Sequence, residues 1–244
     1  MHFVLGNLAV VLAALGLSEA VVWWFGGGRG WGSLTLIGGV AAAYSLDRLL
    51  DAPAAERRRV MLRFLPPLAV GAGMVAFGLW RVPSQWMLIL VLAVCGGAYV
   101  PLKRFIPKGM LTAGSWAAAV VWLPCAQPPT IQAGLPVALC VLLIVAANAA
   151  LCDALDVEID REKGVRGLAP LLGARRASWL AAVAAGMGGA MAITIGPWPL
   201  AVAAAPLMVT GILPASGFFS GWRRTLLDLM LALPGAVALW LAPR

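Results

Sequence analysis

Nine apolar stretches succeed one another along the chain, at about 3–25, 31–50, 64–81, 85–102, 110–126, 133–153, 176–195, 197–215 and 224–242. Their lengths match the roughly 20 residues that a helix needs to cross the hydrocarbon layer of a membrane. The breaks between them carry turn chemistry: Gly26-Gly27-Gly28-Arg29-Gly30, Val82-Pro83-Ser84, Gln127-Pro128-Pro129, Gly196-Pro197 and Ser216-Gly217. No internal repeat or low-complexity tail interrupts the series. The pattern predicts an all-α integral membrane fold, a single polytopic domain over residues 1–244 with nine transmembrane helices.

The polar positions provide an independent reading. If all nine stretches cross, successive loops alternate sides, and the cations sort with them. One side receives Arg48, Arg57, Arg58, Arg59 and Arg63, then Lys103, Arg104 and Lys108, then Arg161, Lys163, Arg166, Arg175 and Arg176, then Arg223 and Arg224. That is fifteen of the 18 Lys and Arg residues, with Arg29, Arg81 and Arg244 opposite. Positively charged loops mark the cytoplasmic side, which places the N-terminus inside and the C-terminus outside; the expected location is a bacterial plasma membrane. Trp23, Trp24, Trp31, Trp80, Trp86, Trp198 and Trp240 lie near span ends on the other side, as an aromatic belt does. The N-terminal stretch has no positive region ahead of it and runs on to Trp24, so it reads as a retained first helix rather than a secretory signal.

Composition narrows the chemistry. With 62% hydrophobic and 11% charged residues, the chain departs from the usual balance of roughly 45–50% apolar and about 25% charged. The net charge of +8 is then a matter of topology, and no nucleic-acid partner is expected. Cys95, Cys125, Cys140 and Cys152 have no CxxC spacing and mostly sit in apolar runs, so they read as buried, reduced thiols. His2 is the only histidine, which removes His-based metal sites and Ser-His or Cys-His catalytic pairs. Chemistry is left to carboxylates and cations.

Eight of the ten acids fall in two places: Asp47, Asp51 and Glu56, then Asp153, Asp156, Glu158, Asp160 and Glu162. Both segments stand at cytoplasmic ends of predicted helices, the second and the sixth, and so can share one mouth. Asp47 and Asp51 are four apart and share a helix face, as do Asp153, Asp156 and Asp160. Two opposed carboxylate clusters repel unless positive charge stands between them. Mg²⁺ takes oxygen ligands, keeps several waters and is held by one or two carboxylates plus substrate phosphates. The pattern therefore suits two Mg²⁺ ions bridged by a diphosphate, the plainer alternative being solvated helix ends balanced by nearby Arg and Lys. At the end of the fourth stretch, Tyr99-Val100-Pro101-Leu102-Lys103-Arg104 adds a point charge and a bidentate fork of the kind that holds phosphate oxygens. Alone, that segment is equally ordinary positive-inside decoration.

These residues resemble the UbiA superfamily of intramembrane prenyltransferases, whose pattern is NxxxDxxxD after helix two, YxxxKR after helix four and DxxxD after helix six of nine. Asp156 and Asp160 match the last pair, and Tyr99, Lys103 and Arg104 match the middle motif. Gly164, Leu168, Leu171, Leu172 and Gly173 resemble the family's downstream glycine, threonine-leucine-proline step and closing glycine. The chain also departs from the pattern. Ala43, beside Tyr44, stands in the place of the first motif's asparagine, and Gly167 replaces the usual threonine. Ala52 to Arg63 lacks the Arg-Pro-Leu-like sequence common in quinone-pathway members.

The resemblance implies a Mg²⁺-dependent transfer of an isoprenoid group from a prenyl diphosphate to a lipophilic, aromatic acceptor in the membrane. It implies Asp47, Asp51, Asp156 and Asp160 as catalytic metal ligands, with Asp153 as a further ligand. Lys103, Arg104, Arg48 and Tyr99 would bind the diphosphate. The isoprenoid tail would lie in a central apolar cavity opening near the cytoplasmic face, where water is excluded. Capture of the allylic cation by a double bond of its own chain would instead make the protein a membrane terpene cyclase. A CDP-alcohol phosphotransferase is disfavoured, because neither acidic segment has that family's aspartate-glycine step or its arginine before the second pair. A transporter with a carboxylate ion site is the non-enzyme alternative, although such proteins place charges near the midplane and show repeated halves. Two acids stand apart from both segments. Asp228 follows Arg223 and Arg224 as a paired interfacial residue, and Glu19 reads as hydrogen-bonded inside the bundle or as an acceptor ligand or proton acceptor.

Overall fold

The computed structural model describes residues 2–26, 28–50, 52, 55–102, 105–162, 164, 167–212 and 223–242; the side chains of residues 2–7, 95–101, 108, 159 and 223 lie outside the description. Long apolar runs have one economical way to satisfy their backbone groups away from water, which is the helix, and no strand occurs among the described residues. The elements are α1 (His2–Phe25), α2 (Gly32–Leu50), α3 (Arg57–Arg81), α4 (Trp86–Leu102), α5 (Lys108–Trp122) and α6 (Ile131–Leu155). They continue with α7 (Val157–Glu162), α8 (Leu168–Leu172), α9 (Ala174–Ile195), α10 (Ala201–Ile212), α11 (Arg223–Met230) and α12 (Leu233–Leu241). Among the described residues five segments are long and apolar enough to cross a membrane: Leu8–Phe25, α3, α6, α9, and Arg224–Leu241 across the junction of α11 and α12. Pro83–Val94, Gly109–Trp122 and Trp198–Ile212 are shorter apolar segments.

Three features differ from the sequence expectation, each for a local reason. The third helix begins at Arg57 rather than near residue 64. Hydropathy falls at Arg57, Arg58, Arg59 and Arg63, but the backbone is indifferent to that, and long Arg side chains can carry their charge out to water. The ninth stretch is two helices. Pro234 has no N–H for the Met230 carbonyl and its ring crowds that turn, and the N–H groups of Leu231 and Ala232 turn to the carbonyls of Asp228 and Leu229, at 3.1 and 3.0 Å. Finally, the polar connection after α6 folds into α7 and α8, too short to register as a periodic pattern.

The break before Pro234 has a consequence for packing. Leu231 would donate to the Leu227 carbonyl in a continuous helix; here that carbonyl accepts from Asn148 Nδ2 of α6 at 2.8 Å. Asn148 is buried, so its amide ties α11 to α6 where both are out of water. Asn148→Leu should lower stability by about 1 kcal/mol, read as a fall in the thermal unfolding midpoint of the detergent-solubilised protein. An unchanged midpoint would show that Leu227 finds another partner.

Helix α6 runs through the centre, with α5, α8, α9 and α11 around it, while α1 packs on α2, α11 and α12, and α3 packs on α2. Leu17, Val21, Val120, Val121, Val141, Ile144, Leu200 and Leu207 fill the core. Helices in lipid gain little from apolar contact alone, so close approach through small residues matters more. A Cβ on Gly38 of α2 would lie 2.5 Å from the Gly71 carbonyl oxygen of α3, and one on Gly235 of α12 would lie 2.5 Å from Gly16 Cα of α1. At both crossings the backbones occupy the space of a methyl group. Outward, α3 presents Leu62, Val70 and Trp80, all exposed.

Candidate functional site

The last turns of α6 place Asn148, Cys152, Asp153 and Asp156 at one end of the bundle. Asp153 is 2% exposed, and its Oδ2 accepts from the backbone N–H of Leu168 at 3.2 Å. The carboxylate thereby caps α8 across fifteen residues of chain. Asp156 ends α6 with φ −98° and ψ 10°. Helical hydrogen bonding nevertheless continues through it, from Asp156 N–H to Cys152 O at 3.1 Å and from Asp160 N–H to Asp156 O at 2.9 Å. The three acids therefore stay within two turns of one another, and Asp160 is buried.

Asp156 Oδ2 receives Arg224 Nη1 at 2.7 Å. Arg224 belongs to the first turn of α11, and the charges of Asp156 and Asp228 and the phenol of Tyr44 act on it. Asp228, one turn further along α11, lies in the field of Arg224 and of Arg48 from α2. Arg48 Nη2 donates to the Tyr44 hydroxyl at 2.8 Å, and the guanidinium stands 4.9 Å from the centre of that ring. Its Nε is buried and has no hydrogen-bond partner among the described residues.

The ends of α2 and α6 thus meet through α11. Tyr44, Arg48, Asp153, Asp156, Arg224 and Asp228 share one end of the bundle, with Asp47 half-buried on the last turns of α2. Of the residues singled out in the sequence, Asp51, Lys103 and Arg104 lie outside the described residues, as does the side chain of Tyr99. Sequence reasoning missed Arg224 as the partner of Asp156, and missed Asn148 altogether. Arg224 had no distinguishing signal, since a cation at a span end is the commonest kind in such a chain. Asn148 did have one: an amide within the apolar run of α6 needs a partner.

Gly167, where the resembled family has threonine, has a physical reason. A Cβ built there would stand 2.6 Å from Asp153 Oδ2, in the space of the capping carboxylate. Gly167→Thr should force Asp153 off Leu168 and cost about 1–3 kcal/mol, measured by thermal unfolding. A variant as stable as the parent would mean the loop shifts freely.

No protein-family model, curated protein or solved structure matches the chain. The site must therefore be judged on its own chemistry. Its acidic donors are all carboxylate oxygens, hard ligands that suit Mg²⁺. Among the described residues no three Asp, Glu, Cys or His side chains converge as a metal cluster. Mg²⁺ needs only one or two carboxylates when phosphates and water complete its shell, so this donor set fits a Mg²⁺–diphosphate that assembles with substrate. The buried Nε of Arg48 fits a phosphate oxygen in the same way. Cys125, Cys140 and Cys152 are free and buried.

Proposed function

We propose that the protein is a Mg²⁺-dependent intramembrane prenyltransferase of the UbiA type, with nine membrane spans, a cytoplasmic N-terminus and an isoprenoid cavity reached from the Asp156 end. The observation that supports it most is Arg48, a half-buried side chain whose Nε is buried and lacks a partner among the described residues, set on the same end as Asp156 and Arg224. Carboxylates that hold a cation and guanidinium groups that hold phosphate are both needed for diphosphate departure, and both are present.

In this reading Asp47, Asp51, Asp156 and Asp160 hold Mg²⁺, with Asp153 capping α8 behind them. When bound, Mg²⁺ neutralises charge that develops on the leaving diphosphate. Arg48, Lys103 and Arg104 donate to its oxygens, with Tyr44 keeping the Arg48 fork in place. Arg224 holds Asp156 in the substrate-free protein and turns to the phosphates once the site fills. The C–O bond to diphosphate breaks with its electron pair on oxygen. The allylic cation is captured by the acceptor, which then loses a proton. Apolar helix walls keep water from the cation.

The test is a panel of prenyl diphosphates given to the purified protein with Mg²⁺ and membrane lipids extracted from the source cell, the products being identified by mass spectrometry. A prenylated lipid with release of diphosphate is the expected result. A cyclic hydrocarbon or alcohol formed without acceptor would make the protein a terpene cyclase, and uptake into proteoliposomes without covalent change would make it a transporter.

A further inference from the structure

At the opposite end of α2 from Arg48 lies a cavity of about 370 Å³ between α1 and α2, within the roughly 300–1,000 Å³ typical of small-molecule sites. Ser33 and Arg48 are separated along α2 by roughly 22 Å at about 1.5 Å per residue, so this space is distinct from the diphosphate mouth. Leu15, Leu34, Ile37 and Trp31 give it apolar walls. At its rim Glu19 Oε2 and Arg29 Nη2 stand 2.7 Å apart, the carboxylate side chain 12% exposed and the guanidinium 55%. A carboxylate within a membrane helix is expensive and usually functional.

The rim is held in shape. Gly30 N–H donates to Pro124 O at 2.7 Å and Ala126 N–H to Gly28 O at 3.2 Å, while Ser33 Oγ donates to Pro124 O at 3.3 Å. Arg29 therefore projects from a strap pinned to the loop after α5, which limits the ordering that a ligand must impose. An apolar pocket with one positive and one negative group fixed at its edge matches an amphiphile that carries both charges.

We propose that this cavity binds the headgroup of a zwitterionic phospholipid with a primary ammonium, phosphatidylethanolamine in chemical class. The phosphate would take the Arg29 fork and the ammonium would donate to Glu19, so one ion pair is exchanged for two. The acyl chains would leave along Leu15, Leu34 and Ile37. A choline headgroup has no N–H for the carboxylate and would seek an aromatic face. The Trp31 ring already carries the Arg81 guanidinium, 4.6 Å from its centre. A glycerol headgroup supplies the phosphate but leaves Glu19 facing negative charge.

The delipidated protein, offered phosphatidylethanolamine, phosphatidylcholine and phosphatidylglycerol of identical chains, should retain the first about tenfold more strongly in native mass spectrometry, the size expected for a charged hydrogen bond. Glu19→Gln should erase that preference. Leu34→Trp, which fills the cavity without touching the ion pair, should reduce retention of phosphatidylethanolamine even if the Glu19 variant does not fold. Equal retention of the three lipids, or a preference that survives both substitutions, would overturn the site. Displacement by an equal concentration of soluble glycerophosphoethanolamine would overturn the lipid as its occupant. None of these readouts depends on prenyl transfer, so they stand apart from the activity proposed above.

Discussion

Replacing Asp156 with alanine is expected to abolish prenyl transfer while leaving the bundle folded. The carboxylate is 24% exposed and pairs with a guanidinium that is 44% exposed, and ion pairs so close to solvent contribute about 0–1 kcal/mol to stability. The backbone at this position needs no aspartate either, because its hydrogen bonds to Cys152 and Asp160 are made by main-chain atoms. Loss of one group that stabilises charge developing in a transition state, by contrast, costs about 10²–10³ in turnover. The variant should therefore keep its helical circular-dichroism signal and its unfolding midpoint within a few degrees, yet release diphosphate at least about a hundredfold more slowly. Normal turnover by a folded Asp156→Ala protein would remove Asp156 from the site. Asp47→Ala is the matching variant on α2, and equal losses from both would mean that the two acidic segments act on one substrate.

How far these residues could be read without coordinates depends on whether their partners are local. The helices were legible because span length is set by membrane thickness, and α3, α6 and α9 each meet that demand alone. Asp156 and Asp160 stood out because carboxylates are rare in such a chain and their spacing is short. Arg224 was not, because it meets Asp156 from a helix 68 residues away, and no local pattern separates it from Arg223 or from other cations on its side. Asn148 was conspicuous by type, but its partner is a carbonyl exposed only by the break before Pro234. Gly167 departs from the resembled motif, and the space it leaves is filled by the Asp153 carboxylate. Side chains whose roles are fixed by contacts between helices are the ones that hydropathy and spacing pass over.

If the protein is the proposed prenyltransferase, removing Mg²⁺ should abolish turnover, and Arg224 should set how much Mg²⁺ is needed to restore it. In the substrate-free protein the Arg224 guanidinium is hydrogen-bonded to Asp156 Oδ2 at 2.7 Å, the carboxylate that a cation would need. In the proposed reaction, a metal bound at Asp156 would therefore have to displace a unit positive charge that the protein itself supplies. Arg224→Gln removes that competitor, so the variant should reach half-maximal Mg²⁺ response at a concentration lower by about threefold to tenfold, the range that corresponds to about 0.7–1.4 kcal/mol. The same change deprives the diphosphate of a cation, so KM for the prenyl donor should rise and maximal turnover should fall. Arg224→Lys keeps the charge but loses the fork, and should leave the Mg²⁺ requirement near that of the parent while still raising KM. Titrating Mg²⁺ into EDTA-treated protein at fixed prenyl diphosphate separates these effects. Turnover that persists in EDTA would dismiss the metal, whereas a Mg²⁺ requirement unchanged in Arg224→Gln would mean that the ion pair with Asp156 plays no part in metal entry.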